Sequence, residues 1–183
     1  MKLNLGSRNS VIDGFDNVDL LPCPTVKYVC NVNKLAFAKD NEVDEIYASN
    51  VLEHFTYSKI RDVLREWNRV LKPRGKIYVS VPDMINICEL VCKYGWELFI
   101  ERMVYGEDNY EYGPHGSGFD FDKLKTELEA TGFTDVTKVV QFPIHGADET
   151  RERKYDASML GFDDPLGTFI PVSLNVIAYK EAK

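Results

Sequence analysis

The chain has 183 residues and weighs 21.0 kDa, a length that fits one domain and needs no metal or disulfide to stabilise its core. Hydrophobic residues make up 44% and charged residues 28%, which excludes a disordered chain. The 22 basic and 29 acidic side chains leave a net charge of −7, so no general attraction to nucleic-acid phosphates or anionic membranes is expected.

Taken in chain order, the first half alternates strand and helix signals, the mark of an α/β fold with a mainly parallel sheet. Leu3 to Leu5 is a short apolar stretch ending in Gly6, and it lacks the apolar core of a signal peptide. Asn17 to Leu21, closed by Pro22, is a second strand, and Thr25 to Val32, rich in β-branched and aromatic residues, a third. Glu45 to Ser49 is the fourth and Lys76 to Val81 the fifth. Between these two, Ser58 is placed as an N-cap, and Ile60, Val63, Leu64, Trp67, Val70 and Leu71 recur at helical spacing. Lys72-Pro73-Arg74-Gly75 then stops the helix and turns the chain, which predicts a βαβ crossover.

Met84 to Val104 reads as a helix broken at Gly95, with Ile85, Cys88, Cys92, Trp96, Phe99, Ile100 and Met103 as its apolar stripe. A loop rich in Gly and Tyr follows from Tyr105 to Gly118, then a helix over Asp122 to Thr131 with Gly132 at its C′ position. Val136 to Phe142 and Leu174 to Tyr179 are the last two strands. The stretch 143–173 between them, punctuated by Gly146, Gly161, Pro165, Gly167 and Pro171, reads as a long excursion within one domain spanning 1–183. The four cysteines, Cys23, Cys30, Cys88 and Cys92, form no C-x-x-C pair and have no histidine near them in sequence. They are therefore expected as reduced thiols packed in the core, with no metal site. No apolar run approaches the ~20 residues of a membrane span. A reduced, cytoplasmic setting is the expectation.

In an open α/β sheet, ligands bind beyond the carboxyl ends of the strands, so the residues after each strand carry the functional signal. Gly6-Ser7-Arg8 after the first strand is a small-residue turn that lets a ligand approach backbone N–H groups. Asp19 and Leu20 end the second; an acid there suits the two hydroxyls of a ribose. Asn31 and Val32 end the third, an amide for a base edge beside an apolar wall. Asn50 and Val51 follow the fourth, ahead of Glu53 and His54. Four strand ends thus offer the parts of a nucleoside site. Glu53 reads most simply as an acid complementing a helix N-terminus.

The segments Leu3-Asn4-Leu5-Gly6, Gly14-Phe15-Asp16-Asn17-Val18-Asp19, Ser49-Asn50-Val51-Leu52-Glu53-His54, Leu71-Lys72-Pro73-Arg74-Gly75-Lys76 and Leu128-Glu129-Ala130-Thr131-Gly132-Phe133 occur in order, followed by the late strand from Leu174 to Lys180. In that order they resemble the class I S-adenosylmethionine-dependent methyltransferases, and most closely their small type 11-like branch. The resemblance implies a Rossmann-like, doubly wound sheet of order 3-2-1-4-5-7-6 with the seventh strand antiparallel. It also implies S-adenosylmethionine as cofactor: Gly6, Ser7 and Arg8 toward its methionine moiety, Asp19 and Leu20 at the ribose, Asn31 and Val32 at the adenine. Asn50 and Val51 would line the sulfonium side, and His54 reads as a structural or cofactor-lining residue. The implied activity is methyl transfer to a small organic or glycan-type acceptor; the net charge of −7 and the lack of a long apolar run argue against nucleic acid and membrane as partners.

The chain departs from that pattern in two ways. A single Gly6 stands where the family carries two or three glycines, and a G-x-G-x-x-G dinucleotide fingerprint is absent, which disfavours a nicotinamide oxidoreductase. The interval from Gly6 to Asp19 is too short for a crossover helix, so at most a helical turn is expected near Ser10 to Asp13, and Arg8 or loop amides must hold the cofactor carboxylate. A less covered cleft calls for another wall, from the 143–173 excursion or from a second copy in a homodimer. The Asn/Asp-Pro-Pro-Tyr/Phe motif of amino-methylating nucleic-acid enzymes is missing after the fourth strand. A non-catalytic binding or scaffold protein on the same fold is the alternative reading. On the acceptor side, His115, flanked by Gly113-Pro114 and Gly116, and Asp83, at the end of the fifth strand, are the candidate bases. Tyr105, Tyr110, Tyr112 and Phe119 suggest an aromatic-walled acceptor pocket.

Overall fold

A computed structural model of the chain describes residues 1–96, 98–109, 111–143, 161–163 and 169–182. Seven strands form one sheet: β1 (Lys2–Leu5), β2 (Asp16–Asp19), β3 (Tyr28–Val29), β4 (Val43–Ser49), β5 (Leu71–Pro82), β6 (Phe133–Val139) and β9 (Ser173–Lys180). Their order is β3-β2-β1-β4-β5-β9-β6; β1 to β5 run parallel, and β9 lies antiparallel to both neighbours. This is the 3-2-1-4-5-7-6 sheet that the family resemblance implies, with β9 as its seventh strand. A separate two-stranded ribbon, β7 (Gly161–Asp163) with β8 (Phe169–Pro171), falls inside the 143–173 excursion; 144–160 and 164–168 lie outside the described residues, Gly146, Pro165 and Gly167 among them.

Helix α1 (Ile60–Val70) turns its apolar stripe inward: Ile60, Val63, Leu64, Trp67 and Val70 are all buried. Trp67 donates its indole N–H to the Val32 carbonyl at 2.9 Å, which satisfies the polar edge of a ring that is 0% exposed. At the C-terminal end of α1 the Lys180 ammonium donates to the Asn68 and Leu71 carbonyls, each at 2.8 Å, pairing a cation with orphan helix-end acceptors. Helix α4 (Phe121–Glu129) packs beside α1, where Arg61 meets the buried Glu127 carboxylate at 2.7 Å. Together these helices cover the face of the sheet that carries Leu3, Leu5, Ile46, Ile77, Val79 and Val81.

Several element ends differ from the sequence reading, each for a local reason. The α1 segment enters through a 3-10 turn, Tyr57–Lys59, after extended Thr56, so Ser58 lies inside that turn and caps nothing. Asp120, not a residue within the helix, caps α4 by accepting from the Lys123 N–H at 2.8 Å. Lys72 to Gly75 forms a bulge inside β5: pairing jumps from Val43↔Leu71 to Glu45↔Lys76, and Arg74 takes a left-handed φ of 63°. The third strand keeps two paired residues, because Asn31 folds into an Asx turn with the Asn33 N–H at 3.1 Å. Strand β6 begins at Phe133, three residues before the expected start.

The predicted helix 84–104 is two helices, α2 (Met84–Tyr94) and α3 (Leu98–Tyr105), parted at Gly95, whose φ is 87°. Its buried residues are Ile87, Leu90 and Ile100; Ile85 and Trp96 are exposed. Cys88 and Cys92 are exposed as well, on the solvent side of α2 and not in the core. All four cysteines are free thiols.

No helix occupies the interval between β1 and β2. Asn4 and Asn17, opposite each other in the parallel ladder, take over its anchoring work. Asn4 donates to the Asn17 side-chain oxygen at 3.0 Å, and both amides donate to the Ser10 carbonyl, at 3.1 and 2.9 Å. Two buried side chains thereby pin the middle of the loop to the sheet. Among the described residues no helix is long and apolar enough to cross a membrane.

Candidate functional site

The chain turns in opposite directions from β1, to β2 on one side and to β4 on the other, and that switch point opens a cleft at the carboxyl ends of the strands. The cleft has a volume of about 1150 Å³. Gly6, Ser7, Arg8, Asp19, Leu20, Asn31 and Val32 line one end of it. Asn50, Val51, His54 and His115 line it further along, so all the sequence-derived site residues except Asp83 meet in one space.

The backbone at the switch point is shaped for close approach. Gly6 has φ 64°, and a Cβ there would sit 2.5 Å from Val51 Cγ2, so the β1 loop and the β4 loop touch only because Gly6 has no side chain. The Gly6 and Ser7 N–H groups both donate to the Val18 carbonyl, at 2.9 and 3.3 Å. Asp19 closes the loop: its carboxylate accepts from the Arg8 N–H at 2.7 Å and from the Leu21 N–H at 2.9 Å, and it is 7% exposed. Two of its lone-pair positions are used, and two remain for a ligand.

Ser7 is 3% exposed, and its hydroxyl is buried without a hydrogen-bond partner at the cleft wall. An orphaned hydroxyl of that kind is costly unless a ligand completes it. A glycine cradle, a buried unpaired hydroxyl, an acid with acceptor capacity and the Arg8 guanidinium at one cleft end fit an amino-acid-bearing adenosine: carboxylate toward Arg8, ribose hydroxyls toward Asp19. At the far end Val32 is 6% exposed and Asn31 is open to solvent, its Oδ1 committed to the Asx turn and its amide N–H₂ left to offer to a ring.

Phe99, Arg102 and Met103 of α3, with Gly106, Glu107 and the stretch from Glu111 to Gly116, form the opposite wall. That loop is tied at its base by a Gly106↔Pro114 bridge, where a Cβ on Gly106 would overlap the Gly113 carbonyl. Tyr112 lines the cleft, whereas Phe119 is core and Tyr105 lies against Trp96; Tyr110 lies outside the described residues. Phe55 and Phe99 supply the aromatic surface that the sequence assigned to those positions.

His115 is held by its own N–H, which donates to the Tyr105 carbonyl at 2.8 Å. Its ring meets the His54 ring edge to face, centroids 4.9 Å apart at 73°. Burial, with the neighbouring His54, pushes His115 down to about 4, so it is neutral at physiological pH and does not titrate near neutrality as the sequence suggests. Burial also holds His54 below its ordinary value. His54 Nδ1 lies 3.2 Å from the Pro114 carbonyl oxygen.

Glu53 departs furthest from its sequence reading. It sits in a 3-10 turn, Leu52–His54, is 0% exposed, and neither carboxylate oxygen has a hydrogen-bond partner. Burial pushes it up to about 8. Its backbone carbonyl accepts from the Gly116 and Ser117 N–H groups, at 2.8 and 3.1 Å, which brings the His115 loop over it.

Asp83 lies outside the cleft and does not take the place of a base that its strand-end position suggests. Its Oδ1 accepts from Ile85 N–H at 3.2 Å as the N-cap of α2, and its Oδ2 accepts from the Lys138 ammonium at 2.9 Å. An acid at a strand end that precedes a helix reads equally as a site residue and as a cap, and here the cap is what forms.

Residues 15–79 match a family model described as a methyltransferase domain. An S-adenosylmethionine-dependent methyltransferase from Archaeoglobus fulgidus superposes with a TM-score of 0.60 at 16% identity, over 98% of this chain and 85% of that one. One from Methanosarcina mazei gives 0.60 at 15% identity, over 100% and 92%. The 1,6-didemethyltoxoflavin-N1-methyltransferase of Burkholderia thailandensis, solved with 1,6-didemethyltoxoflavin and S-adenosylhomocysteine bound, gives 0.55 at 15% identity, over 98% and 70%. At these identities the likeness carries the fold. No curated protein sequence matches the chain.

Proposed function

We propose that this chain is a class I S-adenosylmethionine-dependent methyltransferase of the type 11 branch and that it methylates a small organic or glycan-type acceptor that enters beside Asn50, His54 and the Gly106–Gly116 loop. One observation supports the assignment of the cofactor end above the rest: at the switch point of the sheet, the buried unpartnered Ser7 hydroxyl stands in the same cleft as the Asp19 carboxylate.

When bound, the cofactor supplies a methyl group already activated by its positive sulfur. The protein therefore has little covalent chemistry to perform, and alignment of donor and acceptor can supply on the order of 7–11 kcal/mol. Asp19 fixes the ribose and, through the Arg8 and Leu21 N–H groups, the loop that carries Ser7. Arg8 pairs with the carboxylate of the amino-acid moiety. Gly6 and Val51 set the depth at which the donor sits. The acceptor then lies between Asn50, His54, Tyr112 and α3, in the part of the cleft walled by Phe55 and Phe99. His115, neutral at physiological pH, accepts a hydrogen bond or proton from an acceptor hydroxyl or amine at that end, a contribution of ~10²–10⁴-fold where a proton must leave.

Calorimetric titration with S-adenosylhomocysteine tests the cofactor end, and formation of that product from S-adenosylmethionine across a panel of hydroxylated and amine acceptors tests the other. Saturable 1:1 heat is expected. No heat at high micromolar ligand would leave a scaffold on a methyltransferase fold. For His115→Ala, affinity for S-adenosylhomocysteine within about twofold of the parent and turnover reduced by ~10²-fold or more are expected; equal loss of both contradicts an acceptor-side role.

A further inference from the structure

The cofactor end of the cleft makes no use of Glu53, although a carboxylate that is 0% exposed with both oxygens unbonded is among the most expensive groups a fold can carry. Such a group is normally protonated, paired with a cation or bound to a metal. Among the described residues no lysine or arginine reaches it by a hydrogen bond or ion pair; what faces it is two imidazoles. One oxygen of Glu53, one ring nitrogen of His54 and one of His115 all lie within 4.8 Å of one another, a grouping found once among the described residues.

We propose that Glu53, His54 and His115 form a site for one divalent transition-metal ion, binding it through one carboxylate oxygen and two imidazole nitrogens and leaving its other positions open to the cleft. The donor set selects the ion class. Two nitrogens and one oxygen suit zinc, cobalt, iron or manganese, whereas magnesium and calcium prefer oxygen alone. Three protein ligands with an open position is the pattern of a reactive centre, in contrast to the closed four-ligand pattern of a structural one.

The supports around the three side chains match what ligands need. With the His54 Nδ1–H donated to the Pro114 carbonyl at 3.2 Å, Nε2 keeps its lone pair for a metal. The Glu53 carbonyl holds the Gly116 and Ser117 N–H groups, and the Tyr105 carbonyl holds the His115 N–H, so both chain segments are fixed to each other. Ligand atoms around a tetrahedral ion with bonds of about 2.0–2.1 Å stand roughly 3.3 Å apart, so side-chain rotations that close the widest separation by about 1.5 Å complete the shell. Arg8 acts on His54 from the proposed cofactor end, and its charge opposes a metal there; binding of the ion would displace the Glu53 proton, so that the carboxylate formed offsets that charge. His54 and His115 both line the cleft, so the open positions face the acceptor's end. With the ion bound, the His115 lone pair would be committed to it, and the ion, by binding and acidifying an acceptor oxygen, would replace the proton-accepting role given to His115 in the metal-free protein; that role rests on the methyl-transfer reading, and the binding of the ion itself does not.

The test is titration of cobalt(II) alone into the metal-free full chain, followed by calorimetry and by visible d–d absorption, in the parent, Glu53→Gln, His115→Ala and the Cys88→Ser/Cys92→Ser pair. One cobalt per chain is expected, with d–d intensity of low coordination number and without thiolate charge-transfer bands. Affinity should fall at least about 10-fold in Glu53→Gln and in His115→Ala, the loss already typical when a mere outer-shell partner is removed, and stay unchanged in the cysteine pair. Glu53 is buried, so if its variant does not fold, His115→Ala, on a half-exposed loop, decides. No saturable 1:1 binding by the parent, or parent-like affinity in His115→Ala, overturns the site. S-adenosylhomocysteine titrated into the same metal-free samples separates the two readings: cofactor bound without a cobalt site overturns the metal alone, whereas failure to bind the cofactor overturns the assignment of the other end.

Discussion

Replacing Asp19 by asparagine perturbs the one side chain that the β1–β2 loop and the proposed ribose contact share. In the parent the carboxylate accepts from two backbone N–H groups, Arg8 at 2.7 Å and Leu21 at 2.9 Å, in a site 7% exposed. Asparagine offers one oxygen, so one of those bonds is lost and its amide N–H₂ is turned toward a backbone donor. Hydrogen bonds to a charged group contribute about 1.5–3 kcal/mol each, so the loss lowers Tm by roughly 3–12 °C for a domain of this size. The ribose hydroxyls lose their anionic acceptor in the same step. At 1.4 kcal/mol per tenfold, affinity for S-adenosylhomocysteine should fall roughly 10- to 150-fold. Calorimetry well below Tm, where the variant is folded, separates the two effects. A lowered Tm with affinity within twofold of the parent would show that Asp19 closes the loop and nothing more, which refutes its place in the cofactor site.

Gly6→Ala forces a side chain into a left-handed backbone and against Val51, which should cost about 1–2 kcal/mol in conformation alone and roughly 2–8 °C in Tm, with weaker S-adenosylhomocysteine binding. Unchanged melting would mean the loop has another resting shape. Asp83→Ala removes a helix cap and should lower stability by about 0.5–2 kcal/mol in urea denaturation while leaving cofactor affinity intact; loss of turnover at full stability would restore it as a base. The Lys72 ammonium, 2.6 Å from Asp44, holds that carboxyl at about 2 against an ordinary 3.8. A depressed carboxyl stabilises the fold above its unfolded value, so this contribution is complete above about pH 4–5 and fades as pH falls through about 2, modestly because the side chain is 45% exposed. Asp44→Asn should flatten that part of the acid limb of the stability profile, and an identical profile in the variant would contradict the sign.

The sheet was legible because its signals are local. The stripe of α1, the glycine after β1 and the run of strand ends each need only a few neighbouring residues. The position of the proposed cofactor end followed from a rule about where strands end, not from any one residue, and Gly6, Ser7, Asp19 and Asn50 do line one cleft. Ambiguity entered where one local pattern serves two purposes. Asp83 at a strand end and Ser58 ahead of a helix both carry the right chemistry, and only the backbone's path decides which acid or hydroxyl caps. Cys88 and Cys92 share a helix face, but periodicity alone does not say which face is covered. The Glu53, His54 and His115 grouping was not legible at all, since it depends on the Gly106↔Pro114 bridge and on the Gly116 N–H reaching the Glu53 carbonyl. Long-range backbone pairing of that kind leaves no mark on spacing; the adjacency of Glu53 to His54 was the only available hint.

Co-crystallisation with S-adenosylhomocysteine addresses the central claim most directly. Difference density should place the ribose hydroxyls within hydrogen-bond distance of Asp19, the amino-acid end against Ser7 and Arg8, and the sulfur toward Asn50 and Val51. Ligand density on any other surface, or a cleft that stays empty at saturating ligand, would contradict it.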